Sequence, residues 1–123
     1  MDKTINNGDS ILQFENVTKR FPGVLALDSV SFDVLKGEVH ALVGENGAGK
    51  STLIKIVTGV YQKTSGSILF QGKLIDYQNP HEALRNGIAA IYQELNLIPA
   101  LTVAENIFMG HHIRNERGFI DWK

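Results

Sequence analysis

Cysteine is absent from the 123 residues. That excludes disulfides, thiolate metal sites and cysteine nucleophiles, and it fits a reducing compartment. An excess of one charge is missing too. The formal net charge is −1, so there is no electrostatic case for nucleic acid as a partner. No apolar run approaches the ~18 residues that a membrane-spanning helix needs. The opening MDKTINNG lacks the apolar core of a secretory signal, and residues 1–10 read as a flexible tail. There are no internal repeats and no low-complexity tract. Two histidines are adjacent, His111 and His112, but neighbouring positions do not face one site and no further ligand is near, so no transition-metal centre is expected.

What the chain does have is an ordinary mixed composition, 43% hydrophobic and 20% charged, which suits one compact domain with a modest core. Within it lies the run GENGAGKST: Gly44, Glu45, Asn46, Gly47, Ala48, Gly49, Lys50, Ser51 and Thr52. This satisfies G-x-x-x-x-G-K-[ST], the phosphate-binding loop. The context agrees, because His40-Ala-Leu-Val43 reads as a short apolar strand and Leu53-Ile-Lys-Ile-Val57 as a helix. Gly44, Gly47 and Gly49 let the backbone curl, which turns successive N–H groups inward as an anion nest. The following helix adds its positive dipole end. Lys50 is expected to reach the β- and γ-phosphates, Ser51 to ligate Mg²⁺, and Thr52 to donate to the α-phosphate. A nucleoside triphosphate with Mg²⁺ is therefore the expected ligand.

Alternating elements surround the loop. Ile11 to Thr18 and Leu25 to Val34 read as strands, and Lys36-Gly37 turns into a third over Glu38 to Val43. The helix after the loop runs to about Thr58, with Gly59 at its C-cap. Ser67 to Phe70 and Leu74-Ile75 flank a hairpin turn at Gln71-Gly72-Lys73. Asn79 caps a short helix that begins at Pro80 and ends at Gly87. Ile88 to Tyr92 reads as a buried strand. Thr102 and Glu105 form a capping box for a helix reaching Met109. This order predicts an α/β fold, a phosphate-loop NTPase core with a parallel sheet plus an antiparallel β subdomain. Residues 11–123 are taken as one incomplete nucleotide-binding domain.

Four stretches resemble the ATP-binding subunits of ABC transporters: KRFPGVLALDSVSFDV (19–34), HALVGENGAGKSTLIKIVTGVY (40–61), IYQELNLIPALTVAENIFMG (91–110) and GFIDWK (118–123). QELNLIP followed by LTVAENIF points to the branch that imports ribose, xylose or galactose. The resemblance covers about residues 11–123. It implies that Phe21 stacks on adenine, a ring where relatives carry Tyr, with Pro22 biasing it toward extended backbone. It implies catalytic roles for Lys50 and Gln93, Gln93 contacting Mg²⁺ and the attacking water. The stretch from Gln93 to Leu101 would meet the membrane permease. Further implied partners are a second nucleotide-binding domain and, indirectly, a periplasmic sugar-binding protein. The implied location is the cytoplasmic face of a bacterial cell membrane, held peripherally.

The sequence departs from that family in what it does not contain. No LSGGQ-like signature, no four apolar residues followed by Asp-Glu, and no later switch histidine occur in it. The chain is therefore expected to be the start of a longer protein, cut before the helical subdomain, and to lack turnover by itself. Three classes stay in contention: an ATPase subunit driving sugar import, a phosphate-loop kinase or GTPase, and a nucleotide-holding fragment without turnover. The GTPase strings D-x-x-G and N-K-x-D do not occur, and the basic spot at Arg114 to Arg117 is thin for a kinase lid.

Overall fold

The computed structural model describes residues 10–92, 97–109 and 116. The chain divides into two compact units, Met1–Ala90 and Ile91–Lys123. In the first, strands β1 (Ser10–Phe21) and β2 (Val24–Leu35) form a long antiparallel hairpin. Its tight turn is Pro22-Gly23, with Gly23 at φ +77°, a left-handed value that glycine adopts without strain. Strand β3 (Ser65–Phe70) pairs with the other edge of β1, and β4 (Lys73–Leu74) folds back on β3. The sheet order is β2-β1-β3-β4, antiparallel throughout.

Alternation of side chains selects the buried face. Phe14, Val17 and Ile68 are buried together, and Phe14 stacks on its cross-strand partner Phe32 at 4.4 Å between centroids. The ladder slips between Phe14 and Val17, where Asn16 takes φ +50°. Gly66 sits against this bulge so closely that a Cβ there would come within 2.4 Å of the Asn16 carbonyl oxygen. Bulges re-aim a strand in this way, and here one draws β1 and β3 over the core.

Helix α1 (Lys50–Val57) is too short to persist alone in water. It is held by Leu53, Ile56 and Val57, all buried at i, i+3, i+4 spacing and each contributing about 1.5–3 kcal/mol. Its C-terminus closes as expected: the Gly59 N–H donates to the Ile56 carbonyl at 3.0 Å, and Gly59 is at φ +74°. Helix α2 (Pro80–Arg85) starts as the sequence predicts, with the Asn79 side chain accepting from the Glu82 N–H at 3.0 Å. Tyr77, just before it, is buried; burial first and the Glu82 carboxylate second raise its phenol above the usual tyrosine value. In the second unit, helix α3 (Val103–Ile107) carries the predicted Thr102–Glu105 capping box. Asn106 braces the turn before it, its Oδ1 accepting from the Ile98 N–H at 2.9 Å and its Nδ2 lying 3.0–3.2 Å from the carbonyl oxygens of Ile98, Leu101 and Thr102.

Two expected strands differ. Residues 38–43 and 88–92 have no strand pairing among the described residues. The reason is physical: a parallel strand needs a neighbour for its ladder, and no described strand pairs with either segment. Their apolar side chains stand open, Val39 97%, Val43 92% and Ile91 95% exposed.

Candidate phosphate-loop site

The segment entering the loop is tied to the end of β2 by side chains. One Glu38 carboxylate oxygen accepts from the Leu35 N–H at 2.6 Å, and the other lies 3.1 Å from His40 Nδ1. The His40 ring stacks over Phe32 at 5.2 Å. Beyond it, residues 41–48 are exposed and form a loop around the start of α1.

The three loop glycines do different jobs. Gly47 (φ +89°) and Gly49 (φ +84°) supply left-handed backbone. Gly44 does not. It is needed for space, since a Cβ there would stand 3.1 Å from the Ala48 Cβ. Gly49 meets a further demand: a Cβ would come within 2.4 Å of the Ala26 carbonyl oxygen and 2.7 Å of Leu27 Cδ2. Close approach of the loop to β2 thus requires glycine at this position, and pattern alone gives no hint of which strand comes near.

Lys50 folds back over the loop. Its Nζ donates to the carbonyl oxygens of Gly44 and Glu45, both at 2.7 Å. The ammonium is thereby aimed across the ring of backbone that the loop makes. Gly49 is the N-cap and offers no side-chain acceptor. The first α-helical bond is from the Leu53 N–H to the Gly49 carbonyl at 2.9 Å. The N–H groups of Lys50, Ser51 and Thr52 therefore precede the helical ladder and have no acceptor within it. No acidic side chain occupies the first turn, so the positive dipole end is not offset. A lysine ammonium, three open N–H groups and an exposed Ser51 hydroxyl at one helix end fit a polyphosphate chemically. Behind the loop, a cavity of about 170 Å³ is lined by Leu27, Phe32, Leu42, Val43 and Leu53 among others.

Phe21 ends β1. Its ring meets Tyr61 edge-on at 5.3 Å between centroids, and Lys19 Nζ lies 4.8 Å from the Phe21 centroid. Lys55 Nζ, from α1, lies 5.3 Å from the Tyr61 centroid. Sequence reasoning singled out Phe21 but missed Tyr61 and both lysines. Their positions depend on register between segments 40 residues apart in the chain, which no local pattern reports. Gln93 falls outside the described residues, as do Glu94, Leu95 and Asn96.

Residues 27–122 match the profile of the ABC transporter family. This chain belongs to that family. Among the curated relatives of this ABC transporter chain is a ribose import ATP-binding protein of Rubrobacter xylanophilus, 57% identical over 104 residues, which are 85% of this chain and 21% of the relative. A putative ribose/galactose/methyl galactoside import ATP-binding protein of Agrobacterium fabrum is 54% identical over 110 residues, 89% of this chain and 21% of the relative. The chain thus spans about a fifth of the length of the curated relatives it matches. A crystal structure of a nucleotide-free ATP-binding cassette from an ABC transporter superposes with a TM-score of 0.75 at 39% identity, covering 83% of this chain and 40% of that one. An ATP-binding cassette in its ADP conformation superposes at 0.61 with 42% identity, covering 63% of this chain and 31% of that one. The ABC fold class follows, a phosphate-loop α/β core carrying an antiparallel β patch. Among the described residues, no helix of this ABC chain is long and apolar enough to cross a membrane.

Proposed function

We propose that this chain binds Mg²⁺-ATP through residues 44–52 and forms the N-terminal part of the energy-coupling subunit of a monosaccharide importer. The observation that carries the reading is the Lys50 ammonium, held 2.7 Å from two loop carbonyls beside three N–H groups with no helical acceptor. ATP brings the phosphoanhydride to be cleaved, and Mg²⁺ would offset its charge. Lys50 would exchange its carbonyl partners for β- and γ-phosphate oxygens, and Ser51 would hold the metal ion. Thr52 would donate to the α-phosphate. Phe21 would stack on the base, with Gln93 at the metal and the attacking water. Such chemistry is positioning and charge stabilisation rather than covalent catalysis by the protein.

The import role is supported by the relatives, among them ribose and ribose/galactose/methyl galactoside import ATP-binding proteins. On this reading the stretch from Gln93 to Leu101 contacts a permease, a second nucleotide-binding domain faces the loop, and the protein sits peripherally on the cytoplasmic side of the membrane. A periplasmic binding protein delivers the sugar without touching this chain. Deleting the gene is expected to abolish uptake of one labelled pentose or hexose while leaving succinate uptake intact. Unchanged uptake of ribose, xylose and galactose alike would contradict the sugar assignment and leave nucleotide binding standing.

A further inference from the structure

Tyr61 links the two ends of the nucleotide site. Its backbone N–H donates to the Lys55 carbonyl at 3.0 Å, and the preceding Val60 N–H donates to the same oxygen at 2.8 Å. These bonds seat Tyr61 on the C-terminal turn of α1, the helix whose N-terminus carries Lys50 and Ser51. Its ring then meets Phe21 edge-on at 5.3 Å, with the Lys55 ammonium 5.3 Å from the tyrosine centroid. A few residues on, the Thr64 N–H donates to the Thr18 carbonyl at 2.8 Å, and the Thr64 hydroxyl accepts from the Arg20 N–H at 3.0 Å. The segment 61–64 is therefore stitched to the end of β1 on both sides of Lys19, and Phe21 lies next to the last stitch.

The consequence is geometric. A nucleotide has a limited span between its terminal phosphates and its base. A ring that stacks on the base must be fixed relative to the helix that holds the phosphates. Phe21 stands at the strand end, beside the Pro22-Gly23 turn and half-buried, so the hairpin alone does not set its distance from α1. An edge-to-face contact constrains ring orientation. The Lys19 ammonium lies over the same ring, 4.8 Å from its centroid, so a base would stack on the Phe21 face opposite that ammonium or displace it. We propose that Tyr61 is a positioning residue of the nucleotide site, holding the Phe21 ring at a set orientation from α1 so that a base can stack on it. The inference rests on the reading of residues 44–52 and Phe21 as a nucleotide site.

The test is a double-mutant cycle in the full chain, read by calorimetric titration of ATP, ADP and inorganic tripolyphosphate. Phe21→Ala weakens ATP and ADP about 5- to 150-fold by loss of base stacking. Tyr61→Ala weakens both about 2- to 12-fold, the worth of one aromatic pair. Tripolyphosphate, which has no base, binds equally to all variants, and Tyr61→Phe restores ATP affinity. In the Phe21→Ala background, Tyr61→Ala adds nothing. Where Tyr61→Ala lowers the melting temperature, Tyr61→Leu, which keeps apolar volume on α1 but no ring, takes its place. Equal loss for tripolyphosphate, or additive losses in the double variant, overturns the positioning role. So does Phe21→Ala weakening ATP while neither Tyr61 variant does. Failure of the unaltered chain to bind ATP overturns the nucleotide reading itself, and the inference with it.

Discussion

Lys50→Ala is expected to weaken ATP binding about 150- to 20,000-fold, measured by titration of the full chain in Mg²⁺. Two charge-assisted hydrogen bonds to phosphate oxygens, each worth about 1.5–3 kcal/mol, account for that range. The lysine is already held over the loop, donating at 2.7 Å to Gly44 and Glu45, so binding redirects its ammonium from those carbonyls to nearby phosphate oxygens. The same two bonds tie only an exposed loop. The melting temperature should therefore change far less than the affinity. Lys50→Arg is not expected to restore binding, because a planar guanidinium cannot replace a compact ammonium inside a tight curl. Equal ATP affinity in Lys50→Ala would remove residues 44–52 from the nucleotide site.

The second large effect falls on stability. Gly49→Ala places a methyl group 2.4 Å from the Ala26 carbonyl oxygen and 2.7 Å from Leu27 Cδ2, at a φ of +84°. Left-handed backbone costs an L-residue about 1–2 kcal/mol, and overpacking adds about 1–3. A loss of about 2–5 kcal/mol follows, a large part of the stability of a small domain. Gly47→Ala is the control. It has a similar φ of +89°, but nothing lies within 4 Å of the added Cβ, so only the conformational cost of about 1–2 kcal/mol applies. Chemical denaturation of both variants should rank Gly49→Ala clearly below Gly47→Ala. Equal losses would mean that the loop does not approach β2 as described.

These two glycines also mark how far the sequence could be read. The loop, its helix, the Asn79 cap, the Thr102–Glu105 box and the β3–β4 hairpin are local, and each is specified by residues within a few positions of one another. They were legible for that reason. The antiparallel patch was legible as strands, since Val30, Phe32 and Val34 alternate with polar residues. Its order was not, because β1 pairs at once with β2 and with β3, a partner more than 40 residues away. Separation along the chain likewise hid Tyr61 behind Phe21, 40 residues apart, and Ala26 behind Gly49, 23 residues apart. The expected strands at 38–43 and 88–92 are apolar enough to be core strands, yet strand pairing depends on a neighbour, which hydrophobicity cannot supply. The resemblance to ABC subunits singled out Phe21, which periodicity did not, although its edge contact with Tyr61 is visible only in three dimensions.

The most direct measurement of the central reading is hydrogen–deuterium exchange of the full chain with and without Mg²⁺-ATP, resolved by peptide. The backbone N–H groups of Lys50, Ser51 and Thr52 lack helical acceptors and would gain phosphate acceptors on binding. Exchange across residues 44–53 should therefore slow markedly, with a smaller slowing around Phe21, and the protection should vanish in Lys50→Ala. Unchanged exchange across residues 44–53 at saturating ATP, or protection confined to some other part of the chain, would contradict a phosphate-binding role for this loop.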